Sequence, residues 1–456
     1  MQVGATEDQA KQNTLVEAKA KLDLLRAVGF DAVGVTSIWA PGLQAPTEAE
    51  RGQLANLAVA AQLAGMQVFV AVQNAGSRTT PLSEQDQGDF AAYAAAIVGI
   101  DPYLKNLIVG NEPNLNRFWL PQFGPDGSDA AAAAYLSLLA RTYDALKAAD
   151  PDVIVIGGAL APRGIDRPGT KRDTHSPTLF IRDLGSAYRA SGRALPVMDE
   201  LAVHPWGENS SVPPTAAHPN TTPIGIADYP KLATLLAQAF DGTAQAGSSL
   251  PIVYSEYGVE TTVPPDKAPL YSGQEPDTTK PIDEATQATY FRQAIALAFC
   301  QPSVRGLLFF HAIDEGDLDR LQSGVYYADG TTKTSLEPVK QAIRDSSGGV
   351  IARCPGLGLT PSAKARFPSG IALSRVPLTI RVTCDIDCNY YARLELLPKG
   401  STTFAKGGRA QAEVSTLIDL PARRVRHGRY RFTLRLTAPV NVGPPRVLVS
   451  APVTIP

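Results

Sequence analysis

The chain has 456 residues, 44% of them hydrophobic, and a formal net charge of −2. That length and apolar content suit one large domain with a smaller one beside it, and a near-neutral balance without basic runs speaks against nucleic acid or an anionic membrane as partner. No segment reaches the roughly 18 unbroken apolar residues of a membrane span, and the opening Met1-Gln2-Val3 lacks the charged and apolar regions of a signal peptide.

In chain order, a short first strand is expected over 2–5. A helix follows over 7–28, where Ala18, Leu22, Leu25 and Val28 recur at helical spacing. Residues 32–38 are strand two. Thr47, with Glu50 three residues on, opens a helix over 47–64 that Gly65 ends. Strand three is expected over 67–73 and a helix over 83–98. Leu107 to Gly110 is strand four, a continuous apolar run of the kind shown by a strand buried on both faces. The Ala-rich stretch 128–149 has the best helix propensity in the chain. Strand five (153–159), a helix (177–191), strand six (200–203) and a helix (229–246) come next. Strand seven (252–255), a helix (284–300), strand eight (306–310) and a last helix near 336–344 complete the series. Eight strands alternating with eight helices predict an α/β fold, a (β/α)8 TIM barrel over 1–345.

Beyond it, 346–375 is rich in Pro and Gly and is expected to be a linker and entry loop. Five β-like runs follow, at 378–384, 390–397, 413–418, 430–436 and 446–450. Several alternate in period two, which predicts a small all-β sandwich over 376–456. Its strands carry no tryptophan, which favours a structural role over carbohydrate binding. Of the four cysteines, Cys384 and Cys388 stand close enough to bridge across a tight bend, and Cys300 and Cys354 both fall at the lower rim of the barrel. Two disulfides would place the protein outside the reducing cytoplasm, secreted or at the cell surface; the alternative is four buried free thiols. No cysteine pair has metal-ligand spacing with histidines nearby, and neither metal nor cofactor is expected.

Two of the buried strands stop at a carboxylate. Asn111-Glu112-Pro113 closes strand four, and Glu256 closes strand seven. One strand-end glutamate is usually a solvated loop residue; two at these strands resemble the signature of the clan A glycoside hydrolases. In these retaining (β/α)8-barrel enzymes an Asn-Glu pair ends strand four and a second Glu ends strand seven, and families 39 and 5 are nearest in pattern. The resemblance implies Glu112 as acid/base, Glu256 as nucleophile, and Asn111 on the sugar hydroxyl beside the anomeric carbon. Double displacement needs the two carboxyls about 5 to 5.5 Å apart. Like charges so placed raise one pKa, and the acid/base role assigns the raised one to Glu112. One element of the pattern is missing: several clan families carry an arginine on strand two, and Val33-Gly34-Val35-Thr36-Ser37 has no basic residue.

The aromatic residues point the same way. Trp39, Trp119 and Trp206 fall at or just beyond the ends of strands two, four and six, where indoles can pack on the apolar C–H faces of sugars. At least one of the three is expected to be plain packing. Tyr257 and Phe118 are further candidates to line the cleft. His204-Pro205-Trp206 resembles the His-x-aromatic pair that some clan families place near the nucleophile, and His311 at the end of strand eight is a second candidate. The acidic loop 314–319 either binds sugar hydroxyls or is solvated. The expected function is hydrolysis of β-glycosidic bonds in an oligosaccharide, polysaccharide or glycoside. Two alternatives remain: a non-catalytic carbohydrate-binding barrel, and a metal-dependent barrel hydrolase. The second needs a His-x-His pair on an early strand, whereas the histidines are His175, His204, His218, His311 and His427. The sugar, its linkage and exo or endo action depend on the loops 161–177, 207–228 and 259–283.

Overall fold

Capping chemistry sets the helix ends. In the computed structural model, which describes residues 1–349, 363–368, 378–384, 388–411, 414–420, 425–437 and 445–455, the side chain of Thr47 accepts from Glu50 N and Gly65 closes the same helix in the left-handed conformation. The first helix starts later than its apolar spacing predicts. Thr14 caps α1 (Leu15–Val28), and residues 8–10 form a separate 3-10 turn capped by Glu7. Asp129 likewise caps α4 (Ala130–Ala149), and α6 (Tyr229–Phe240) stops six residues short of the expected 246, at Asp241. The other barrel helices are α2 (Glu48–Ala64), α3 (Glu84–Val98), α5 (Pro177–Ser191), α7 (Glu284–Phe299) and α8 (Leu336–Ser347).

Eight parallel strands form the barrel: β1 (Gln2–Thr6), β2 (Ala32–Trp39), β3 (Gln67–Asn74), β4 (Asn106–Val109), β5 (Ile154–Leu160), β6 (Glu200–Val203), β7 (Ile252–Tyr257) and β8 (Val304–Phe310). β1 closes it by pairing with β8 from Gln2↔Gly306 to Thr6↔Phe310. The interior is filled by Ala32, Phe69, Ile108, Ile156, Ala202, Val253 and Leu308, drawn from seven different strands. A barrel so filled is a packed core with no pore, which leaves the carboxyl ends of the strands as the concave face. A larger apolar layer lies between strands and helices, with Leu22, Leu57, Phe90, Leu139, Phe180, Leu236 and Phe291 contributed by successive helices.

The chain divides into two compact units, Met1–Cys354 and Pro355–Pro456. The second is all-β. One sheet runs β13 (Thr416–Leu420), β10 (Leu378–Cys384), β9 (Ala363–Arg366). The other runs β12 (Ser401–Ala410), β11 (Cys388–Leu396), β14 (Gly428–Thr437), β15 (Arg446–Val449), with β16 (Val453–Ile455) also on β14. All the pairings are antiparallel, and a single apolar cluster that includes Ile380, Leu394, Ile418 and Phe432 serves both sheets. Three of these strands lack a sequence forecast. β9 falls inside the expected linker, and β12, Ser-Thr-Thr-Phe-Ala-Lys-Gly-Gly-Arg-Ala, is polar and mostly exposed, so it shows no apolar alternation. Cys384 and Cys388 are bridged. Cys300 terminates α7 as expected, while Cys354 lies outside the described residues.

Candidate active site

The mouth of the barrel holds a cleft of about 570 Å³. Its floor is the top of the packed interior, Phe69, Ala71, Ile108 and Leu308, and its walls are strand ends and the loops beyond them. Asn111, Glu112, His204, Trp206, Glu256, His311 and Phe118 all line it. The structure therefore brings together most of the residues singled out in the sequence, from the ends of four strands, β4, β6, β7 and β8.

Glu112 is held by a strained turn. After β4, Gly110 takes φ +83° and Glu112 takes φ +41°, a left-handed conformation that costs an ordinary residue about 1–3 kcal/mol. A side chain at Gly110 would press on the ring of Tyr135. That tyrosine explains how the turn is held. Its hydroxyl donates to Val109 O at 2.7 Å and accepts from Gly158 N at 2.7 Å, joining the end of β4 to an irregularity in β5. Glu112 N then donates to Ala159 O at 2.9 Å. Just beyond, the buried amide of Asn114 donates to Ala161 O and His175 O and accepts from Ala161 N, tying the β4 and β5 loops together.

Glu256 reaches the cleft by strand alternation. The β7–β8 register shifts between Tyr254 and Tyr257, Glu256 faces the mouth, and Tyr257 points the opposite way. Buried between Phe291 and Phe309, Tyr257 is a core residue and cannot contact a ligand in the cleft, contrary to expectation. Two of the tryptophans need the same correction. Trp39 is fully buried, edge-on to Phe90, with its indole N–H on Leu43 O at 2.8 Å. Trp119 is buried edge-on to Tyr135. Neither lines the cleft. Trp39 ends β2 facing the helix layer, and Trp119, in the loop after β4, turns back onto the core. Trp206 alone is available to a ligand. It leans on Phe310 and on Gly258, where a side chain would collide with the indole.

His204 organises the centre. Its Nδ1 stands 3.0 Å from Glu112 Oε1 and 3.5 Å from Glu256 Oε2, so these two oxygens lie within about 6.5 Å of each other. The imidazole is 2% exposed, against 15% for Glu112 and 23% for Glu256. Burial pulls the His204 pKa down, but Glu256 and Glu112 outweigh it and the net shift is upward. Burial pushes Glu256 up, the charge on His204 opposes this, and Glu112 adds to it; His311 and a hydrogen bond from the Trp206 side chain also favour the carboxylate. The net effect on Glu256 is upward. β2 carries no basic residue, and positive charge faces Glu256 from His204, just after β6.

His311 is anchored. Its Nδ1 donates to Thr6 O at 2.7 Å, and its Nε2 faces Glu315 Oε2 at 3.9 Å. The acidic loop is divided in role: Glu315 and Asp319 line the cleft, while Asp314 is sealed in an ion pair with Lys333. The sequence reading passed over Thr6, Gln73 and Ser255 at strand ends, and Lys11, Arg117, Arg163 and Arg320 on loops. Polar residues closing otherwise apolar strands were the available signal for the first group. Nothing in the sequence marked the second. Among the described residues, no group of three His, Cys, Asp or Glu is arranged to hold a metal ion, and no helix is long and apolar enough to cross a membrane.

No protein-family model matches the chain, and no curated protein matches it. Solved structures do. The chain is similar to GH5_18 from Streptomyces cattleya in complex with Manb1-4GlcNAc, at 18% identity and TM-score 0.53 over 79% of this chain and 83% of that one. It is also similar to a glucosidase from Croceicoccus marinus, at 12% identity and TM-score 0.50 over 88% and 89%. Bacteroides uniformis beta-glucuronidase 2 matches at 11% identity and TM-score 0.48, and the chain spans 45% of that protein's length. At such identities the likeness is one of fold, a (β/α)8 barrel shared with sugar-cleaving enzymes.

Proposed function

We propose that the protein is a retaining glycoside hydrolase acting on β-glycosidic bonds, with Glu112 as acid/base and Glu256 as nucleophile, in the manner of clan A families 5 and 39. The observation that carries this is the convergence of two strand-end carboxylates, from β4 and β7, on one nitrogen of His204. The bound of about 6.5 Å between the two oxygens that face His204 admits the close pair, about 5–5.5 Å, that a retaining mechanism needs. A carboxylate of Glu256 attacks the anomeric carbon, and the bond to the leaving oxygen breaks. That oxygen keeps the electron pair and takes the proton of Glu112. Water then attacks the same carbon, giving up a proton to Glu112, while the bond to Glu256 breaks and its carboxylate leaves with the electron pair. Asn111, Trp206 and His311 line the cleft where the sugar would sit. The barrel carries the chemistry in this reading, and the sandwich over 376–456 a structural role. The Cys384–Cys388 bridge supports a secreted or cell-surface setting.

Proton NMR of the first-formed sugar tests it. A β product from a β-glycoside is expected, and an initial α anomer would exclude the mechanism. Glu112→Ala should spare activated aryl glycosides far more than natural substrates, and azide should restore turnover as a β-glycosyl azide. Azide rescue of Glu256→Ala should give the α product.

A further inference from the structure

A second, smaller compartment adjoins the cleft. It measures about 260 Å³ and is lined by Leu115, Ala161, Pro162 and Arg163 together with Glu112 and Trp206. Those last two residues line both spaces and so form the wall between them, whereas Asn111, His204 and Glu256 face only the larger one. The wall has a chemical direction. A nucleophile must stand on the side of the sugar being attacked, and a general acid must reach the departing oxygen. A carboxyl in the wall, with the other carboxyl on one side of it only, divides the site into a place for the glycosyl group and a place for what leaves.

Besides Glu112 and Trp206, the smaller compartment has three apolar lining residues, Leu115, Ala161 and Pro162, and one cation, Arg163. Nη1 of Arg163 donates to Trp206 O at 3.2 Å and to Gly207 O at 2.7 Å, which fixes the guanidinium in place. Those bonds leave the Nε–Nη2 edge without a protein acceptor among the described residues. Arg163 also forms no ion pair there, although Glu208 and Glu112 act on it from farther off. Two parallel N–H donors on a pre-positioned planar cation match the two oxygens of a carboxylate.

Resting on the glycosidase reading above, we propose that this compartment receives the leaving group and that Arg163 selects leaving groups bearing a carboxylate beside a flat apolar face. An aryl carboxylic acid and a uronic acid residue share that chemistry.

The test compares matched substrates. Using the glycosyl group that a substrate panel identifies, kcat/KM is measured for the 4-carboxyphenyl and 4-carbamoylphenyl β-glycosides. In parallel, it is measured for a disaccharide ending in a uronate and for its neutral counterpart. The carbamoyl phenol is intrinsically the better leaving group, so a preference for the carboxylate reports recognition. The carboxylate is expected to be favoured at least about tenfold, the size of one charge-assisted hydrogen bond, in the aryl pair or in the disaccharide pair, and the pair showing it identifies the source. Arg163→Gln should bring that ratio to one or below, and Arg163→Lys, charged but without the fork, should fall between. A ratio of one or less in the wild type for both pairs overturns the proposal, and so does a preference that Arg163→Gln leaves intact. If Arg163→Gln fails to fold, the wild-type ratios decide.

Binding of 4-hydroxybenzoate against 4-hydroxybenzamide to the resting protein, followed by ligand-observed NMR, separates the two readings. A benzoate preference lost in Arg163→Gln without hydrolysis of any glycoside upholds the compartment and removes the enzyme. Hydrolysis without any carboxylate preference removes the compartment alone.

Discussion

Two of the buried ionic clusters in the barrel unit are built on opposite principles. Lys333 and Asp314 are both 0% exposed and meet at 2.8 Å. The three protons of the ammonium are used, on Asp314 Oδ1 at 2.8 Å, Thr261 Oγ1 at 2.7 Å and Gln322 O at 3.1 Å. The carboxylate also accepts from Tyr271 Oη and Gly324 N. One charge meets one charge, and this joins the β7 and β8 loops. At the mouth, two carboxylates face one imidazole nitrogen, Glu112 hydrogen-bonded to it and Glu256 beside it at 3.5 Å, with part of each glutamate left to solvent. A balanced, sealed cluster has no use for a substrate. An unbalanced, open one is costly unless something binds or reacts there.

Substituting each cluster tests that contrast, and the largest effect is expected at Glu256. Glu256→Gln should lower kcat by about 10⁴-fold or more and leave stability at pH 7 equal or higher. The sign follows from linkage. Burial raises the Glu256 pKa above its ordinary 4.5, so the folded state holds the proton more tightly and loses stability as pH rises from about 4.5 through the raised value. The amide removes that loss. A lower melting temperature at pH 7 would mean that the carboxylate is structural.

Lys333→Met should behave the other way. It leaves Asp314 buried without its partner, at a cost of about 3–5 kcal/mol, and touches none of the cleft residues. Thermal unfolding should drop, while kcat of the folded fraction should hold. Lys333→Met combined with Asp314→Leu should recover much of the loss. If the single variant is as stable as the wild type, the pair is not the balanced cluster described.

Tyr135→Phe is intermediate, because it links packing to the site. Without the hydroxyl, Gly158 N and Val109 O lose their shared partner in the interior, costing about 1–3 kcal/mol. The turn that aims Glu112 loosens as well, for which a loss of up to about 10²-fold in kcat is expected. Loss of stability with full activity would show that the strained turn holds Glu112 unaided.

The same contrast explains what was legible beforehand. The barrel was readable because buried parallel strands are continuous apolar runs punctuated by capped helices: Thr47 with Gly65, and Leu107 to Val109, carry that pattern in few residues. Glu112 and Glu256 were readable because each breaks such a run. Trp39 and Tyr257 misled because the direction of a residue at a strand end depends on the last step of alternation and on register shifts such as that in β7, and Trp119 because the loop beyond β4 turns it back onto Tyr135. Arg163 and Lys333 were silent. Their partners are backbone carbonyls and side chains from distant loops, Gly207 for one and Thr261 for the other. β12 was invisible because an exposed strand needs no apolar side chains, only a partner's backbone.

The smallest effect, and the one that bears most directly on the unbalanced cluster, is expected from His204→Gln. Glutamine can still donate one N–H between the carboxylates but carries no charge. In the wild type the imidazolium lowers the Glu256 pKa against burial and against Glu112; without it the Glu256 pKa rises further. Because the nucleophile must be ionised, the acid limb of kcat/KM should move to higher pH, altering the shape of the profile more than its height. Stability carries the complementary signature. His204 itself is raised above its ordinary 6.5 by the two glutamates, so its contribution is fully present below about 6.5 and is lost as pH rises through the raised value. Wild-type melting temperature should therefore fall across that window, and the variant should lack the fall. An unmoved acid limb would mean that the two carboxylates keep their protonation states without the imidazole, and that Trp206, through its hydrogen bond to Glu256, holds the nucleophile ionised instead.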